Sequence, residues 1–97
     1  MNERLPASLN LRVILPRSLL VEAEVAEVSL PGLDGYLGIL PGHRPLVIAL
    51  GVGSITYKHD STEEAISIQG GYAEIFPDSV LVFTELSKDE DYETSED

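Results

Sequence analysis

LNLRVILPRSLLVEAEV, residues 9–25, decides the fold class. Leu9, Leu11, Val13 and Leu15 alternate with Asn10 and Arg12, the two-residue period of a half-buried strand. Pro16-Arg17 interrupts the run as a turn. Leu19, Val21, Ala23 and Val25 then alternate with Leu20, Glu22 and Glu24. Beyond Val25 the apolar face moves to even numbers, at Val28 and Leu30. One extra residue near Ala26 and Glu27 would cause that slip, so a β-bulge is predicted there.

Working outward, turn signals keep dividing short apolar runs. PGLDG at 31–35 and PGHRP at 41–45 bracket a short strand over 36–40. Leu46–Leu50 is apolar on both faces, and Gly51 and Gly53 break it. Residues 54–59 and 64–69 read as a hairpin around Asp60–Glu63. Gly70-Gly71 allows a sharp bend, and 71–76 pairs with 79–84 around Pro77-Asp78. Eight to ten short strands follow, without a long helical period. The predicted class is all-β, a flattened sandwich or barrel over residues 1–86. From Leu86 the alternation stops, and residues 87–97 are predicted to form a solvated acidic tail.

Composition narrows the function classes. The chain has 97 residues, 43% of them hydrophobic, enough for one packed domain. Its net charge of −11 opposes binding to nucleic acid or to an anionic bilayer. Six of the acids, Asp89, Glu90, Asp91, Glu93, Glu96 and Asp97, stand in the tail. Cysteine is absent, which removes thiol chemistry. The start carries charges where a signal peptide needs an apolar stretch. Pro45–Tyr57, the longest run without a charge, is 13 residues and far short of the roughly 20 that cross a bilayer.

Catalytic patterns are missing. His43 and His59, the two histidines, fall in no metal-ligand spacing, so no metal site is expected. Glu22 and Glu24 share a strand face as an acid–base pair would, and a solvated outer face explains them better. No serine occupies a Gly-x-Ser-x-Gly elbow. Gly70-Gly71 lacks the Lys-Ser/Thr and the helix of a phosphate loop; close backbone packing or a bend is the better reading. No catalytic residue and no cofactor are expected.

One stretch exceeds what a turn needs. Gly35–Leu46, GYLGILPGHRPL, packs three glycines, two prolines, a tyrosine, a histidine and an arginine into one stiff segment. A stiff loop loses little entropy on docking, which suits a partner surface.

Here the chain resembles the N-terminal domain of the ATP synthase epsilon subunit family, called delta in mitochondria. The family pattern Gly-x-Leu-Gly-Ile-x-Pro-Gly-His-x-Pro-Leu stands at Gly35–Leu46. A second signature, a Gly-Gly bend followed by Pro and a small polar turn, stands at Ile68–Val80, and Gly51-Val52-Gly53-Ser54-Ile55 resembles the family's turn between them. The resemblance covers about residues 8–86. It implies a β-sandwich that acts as a rotor part, binding the gamma subunit and the ring of c subunits and passing torque from ion flow to ATP synthesis. The implied gamma-facing residues are Leu40, Pro41, Gly42, His43, Arg44 and Pro45. The implied c-ring residues are Leu33, Asp34, Gly35 and Tyr36, with Asp34 supplying charge where the family commonly has an acid at the Tyr36 position. The implied place is peripheral, on the cytoplasmic face of a bacterial inner membrane or the equivalent organelle face, reaching the membrane only through the c ring.

The family continues after the sandwich with a helical hairpin, which in many members gates hydrolysis and in some binds ATP. Eleven residues follow Leu86 here. The expectation is a natural short form that couples without gating and binds no nucleotide. The reading from a different class is a stand-alone sandwich that binds a soluble ligand or peptide. A concave pocket with convergent polar groups would favour that reading, and a flat apolar patch with a rigid loop at one end would favour the rotor part.

Overall fold

The computed structural model describes residues 6–87. The tail residues from Lys88 onward, and with them the expectations about gating and nucleotide, lie outside the described residues. Seven strands run β1 (Leu9–Leu15), β2 (Ser18–Val25), β3 (Glu27–Gly32), β4 (Gly35–Ile39), β5 (Leu46–His59), β6 (Thr62–Phe76) and β7 (Ser79–Leu86). They form one sheet in the order β2-β1-β7-β6-β5-β3-β4. Neighbours are antiparallel except β1 and β7, which run parallel.

The alternation read from the sequence is the burial pattern of β1: Leu9, Leu11 and Val13 are fully buried. The phase slip is also real, but its cause is not a bulge. Ala26 is a one-residue bend that ends β2 and starts β3, and the two strands pair with different neighbours. The Ala26 N–H donates to the Lys58 carbonyl (3.0 Å), which ties the bend to β5. The His59 ring does the same from the other side, its Nδ1 lying 3.1 Å from the Glu24 carbonyl oxygen. These bonds bring the β2 side of the sheet round to β5, so the sheet folds over on itself. Every strand contributes to the enclosed core, which includes Val25, Val28, Leu30, Ile39, Ile55, Ile68, Ile75 and Val82.

Seven continuous strands carry what the turn signals divide into eight to ten. The difference lies in β5 and β6, 14 and 15 residues long, which run through their glycines instead of stopping at them. The ladder between them holds register from Leu46↔Ile75 to His59↔Thr62. The inward face nevertheless changes along both. In β5 it passes from Leu50 to Ile55 and Tyr57; in β6 it passes from Ile68 to Ala73 and Ile75. The switch falls at Gly51–Ser54 and Gly70-Gly71, where the sheet creases. Gly70 and Gly71 have φ of 99° and 120°, a region closed to most side chains. The turn of this hairpin is tighter than expected, with Asp60 and Ser61 as its two central residues.

Two irregularities at the crease are repaired by side chains. β6 advances one residue more than β7 between Ile68 and Gly71. Buried Thr84 donates its hydroxyl to the Gly70 carbonyl there (2.5 Å). Between Ser29↔Thr56 and Gly32↔Leu50, β5 advances three residues more than β3. Pro31 stands in that gap and has no N–H to offer. Tyr36, opposite Pro31 on β4, reaches across, and its hydroxyl oxygen accepts the Ser54 N–H (3.0 Å). A Cβ at Gly53 would lie 2.6 Å from that oxygen and 2.7 Å from Pro31 Cβ, so glycine is what admits the ring. Tyr36→Phe is expected to lower stability by about 1 kcal/mol, the scale of one lost hydrogen bond to a strand amide. Urea unfolding of the two proteins measures it, and no change would mean that water replaces the hydroxyl without cost.

Candidate functional site: two surfaces at the ends of one short strand

The segment singled out in the sequence folds as β4 with a turn at each end. Its five residues separate the two ends by only ~13 Å at the usual strand rise.

The first surface is the loop Leu40–Pro45. Three hydrogen bonds hold it. The His43 N–H donates to the Leu40 carbonyl (3.2 Å), and the Gly42 N–H donates to the Pro77 carbonyl of the β6–β7 turn (2.7 Å). The third joins the His43 ring to the Arg44 carbonyl, with Nδ1 2.7 Å from the oxygen. Gly42 has φ of 92°, so the loop needs glycine at that point. Pro41 and Pro45 restrict the backbone on either side. Pro41, Gly42 and His43 are half-buried, while Leu40, Arg44 and Pro45 face solvent. Arg44 has no carboxylate within pairing distance among the described residues. Leu46 and Phe76, both exposed, continue the apolar rim at the start of β5 and the end of β6.

The second surface is the turn Leu33–Tyr36. The Leu33 N–H donates to the Ala49 carbonyl (3.2 Å), which anchors it to β5. Gly35 has φ of 128°. Leu33 is 69% exposed, a large apolar side chain left in water, with the Asp34 carboxyl beside it. Asp34 carries the only charge of the turn. An open depression of 500 Å³ lies behind, lined by Leu33, Asp34, Tyr36, Leu37, Ile48 and Ala49. The Tyr36 ring is exposed on one face while its hydroxyl is committed to Ser54. That structural duty is invisible in the sequence, because it depends on Pro31 and Gly53 of two other strands.

The remaining candidates resolve as surface. Glu22 pairs with Arg12 (3.3 Å). The Glu24 carboxylate accepts the Ser8 hydroxyl (2.6 Å) and the Asn10 amide (3.0 Å), bonds that hold its pKa below the ordinary glutamate value. Both glutamates are exposed on the outer face of β2. No cluster of three metal-ligating side chains occurs among the described residues. No buried side-chain polar atom among them lacks a partner. Among the described residues no helix is long and apolar enough to cross a membrane.

An apolar area missed in the sequence lies on the outer face of β1, β6 and β7. Tyr72 and Phe83, cross-strand neighbours, stack at 4.9 Å beside Ile14 and line an open depression of 580 Å³. Tyr72 and Phe83 stand on the faces opposite the buried Ala73 and Val82 of their strands, a signal that alternation counting could have given.

Comparison with known proteins agrees with this architecture. The family model described as "ATP synthase, Delta/Epsilon chain, beta-sandwich domain" matches residues 8–87, and the chain belongs to that family. A relative named ATP synthase epsilon chain from Solibacter usitatus is 40% identical over 84 residues, which is 87% of this chain and 63% of the relative. One of the same name from Moorella thermoacetica is 40% identical over 83 residues, 84% of this chain and 62% of that one. The chain thus spans a little under two thirds of the length of these relatives. Among solved structures, a chain in the cryo-EM structure of the Euglena gracilis mitochondrial ATP synthase OSCP/F1/c-ring assembly has the same fold. Its TM-score is 0.79 at 20% identity, covering 97% of this chain and 65% of that one. A chain in the Tetrahymena thermophila mitochondrial ATP synthase central stalk and c-ring structure overlays at TM-score 0.67, with 10% identity, over 79% of this chain and 63% of that one.

Proposed function

We propose that the chain is a non-catalytic rotor subunit of an F-type ATP synthase, docking the gamma subunit through Leu40–Pro45 and the c ring through Leu33–Tyr36. The observation that carries this is the loop at residues 40–45. It is braced by three hydrogen bonds, yet it offers to solvent an exposed leucine and an arginine with no ion-pair partner among the described residues. A braced backbone lowers the entropy lost on docking, and exposed apolar rims beside an unpaired cation are what a protein partner covers. The turn Leu33–Tyr36 complements it at the other end of β4, so two partners can be held at once by one stiff strand. The depressions at Tyr72–Phe83 and behind Leu33–Tyr36 are open, with one charged residue each, and in a third, smaller one Lys58 is already paired with Glu27, which fits a docking surface better than a small-ligand pocket. In this reading the subunit is peripheral, reaching the membrane through the c ring. It carries no cofactor or nucleotide of its own, and ion flow is coupled to ATP synthesis without a chemical step on this chain.

Two measurements test the assignment. In a titration with purified gamma, Leu40→Asp is expected to weaken binding at least tenfold, because it places a charge in an apolar contact. Arg44→Ala is expected to weaken it about fivefold and to reduce its salt dependence. If both variants bind like the wild type, the loop does not face gamma. For the second surface, Leu33→Cys is preferable to a cysteine at Tyr36, whose hydroxyl accepts the Ser54 N–H within β5. Leu33→Cys is expected to crosslink to a cysteine placed in the polar loop of the c subunit. Crosslinking only to the catalytic head would overturn the orientation.

A further inference from the structure

The His43 ring lies with Nδ1 2.7 Å from the Arg44 carbonyl oxygen. A carbonyl only accepts, so this contact places a hydrogen on Nδ1. In the neutral ring the second nitrogen, Nε2, then has a lone pair and no hydrogen. The carbonyl that fixes this tautomer belongs to the next residue, and the backbone around it is fixed by the bonds to Leu40 and Pro77. The loop therefore sets the tautomer itself, before any partner arrives. Nε2 has no partner among the described residues.

The neighbouring side chain divides the work. Arg44 is exposed and has no ion-pair partner among the described residues, and it is the cation through which the loop can bind a carboxylate. In its neutral form the ring answers a different kind of group, a donor. From this we infer that His43 Nε2 is a pre-set hydrogen-bond acceptor that selects a partner surface presenting an N–H or O–H donor. The inference rests on the reading of this loop as the gamma-docking surface, and the donor belongs to gamma. His43 is then a specificity-determining contact, and Arg44 is the electrostatic one.

Two substitutions separate the ring's nitrogens. His43→Asn keeps an amide N–H near the Nδ1 position, so it can hold the Arg44 carbonyl, and it removes the acceptor at Nε2. His43→Gln places a carbonyl oxygen near the Nε2 position and gives up the bond to Arg44. Calorimetric titration of the full chain with purified gamma is expected to show about tenfold weaker binding for His43→Asn, the scale of one unmade interface hydrogen bond. His43→Gln is expected to stay within about threefold of the wild type on the same scale. Thermal unfolding of each variant checks that the sandwich is intact. Nitrogen-15 NMR of the free wild-type chain is expected to find hydrogen on Nδ1 and a bare Nε2, with the Nε2 resonance moving when gamma is added. Equal losses in the two variants, a greater loss for His43→Gln, or hydrogen on Nε2 in the free chain would overturn the inference while leaving gamma docking intact. A wild-type chain that does not bind gamma at all would overturn the docking reading, and this inference with it.

Discussion

Gly71→Ala is expected to destabilise the fold by about 4 kcal/mol or more, while Gly70→Ala next to it costs about 1–2 kcal/mol. The two glycines look equivalent in sequence, and both have positive φ. Their surroundings differ. A Cβ on Gly70 would meet nothing nearer than the Leu50 carbonyl oxygen at 3.7 Å, so the cost there is the backbone conformation alone. A Cβ on Gly71 would lie 2.0 Å from the Phe83 carbonyl oxygen and 3.0 Å from Thr84 Cα. Both are main-chain atoms of β7, and no rotamer change can move them. Relief requires β6 and β7 to part at Gly71↔Thr84, which also strains the Thr84 bond to Gly70. A small domain holds about 5–15 kcal/mol in all, so Gly71→Ala removes much of the margin. Urea unfolding followed by circular dichroism measures both variants. Equal costs would show that β7 yields easily at the crease.

Leu11→Ala is expected to cost about 2–5 kcal/mol and to lower the melting temperature by more than about 10 °C. Leu11 is 0% exposed and sits on β1, flanked by Ala23 of β2 and Val80 of β7. Its loss leaves a cavity between neighbours fixed on both sides by strand pairing, which limits collapse into the space. Leu19→Ala is the control. That leucine is 51% exposed, and about 0.5 kcal/mol or less is expected. A loss below about 1 kcal/mol for Leu11→Ala would mean that β1 is loosely packed.

The fold class was legible because alternation is a local property. Leu9, Leu11 and Val13 announce a buried face whatever strand lies beside them, and the phase slip after Val25 is visible for the same reason. What the slip meant was not legible. A bulge and a change of strand shift the alternation alike, and only the pairing of Ala26 with Lys58 tells them apart. The glycines of β5 and β6 misled the strand count, since glycine ends a strand in one context and creases it in another. For the loop Leu40–Pro45 the crowding of proline, glycine, histidine and arginine was the signal. Its brace from Pro77 lies 35 residues away in the chain and left no trace in the local pattern. Tyr36 read as an exposed contact residue. Its hydroxyl also serves β5, a duty set by the break in the β3–β5 ladder and the missing side chain of Gly53.

The parallel pairing of β1 with β7 has a consequence for the order of biosynthesis. Asn10 lies beside Ser79 and Ile14 beside Phe83, partners roughly 70 residues apart. A ribosome adding about 5–20 residues per second makes β1 wait several seconds for the strand that covers its second edge. The β5–β6 hairpin, closed by the two-residue turn at Asp60-Ser61, can form as soon as it emerges. β1 and β2 can pair early too, but they present an open edge until β7 arrives. Arg12 and Glu22, paired on the outer face of that early hairpin, keep part of its surface charged during the wait. In refolding from denaturant the same loop closure comes late, which puts the sandwich among the slower two-state folders, in milliseconds to seconds.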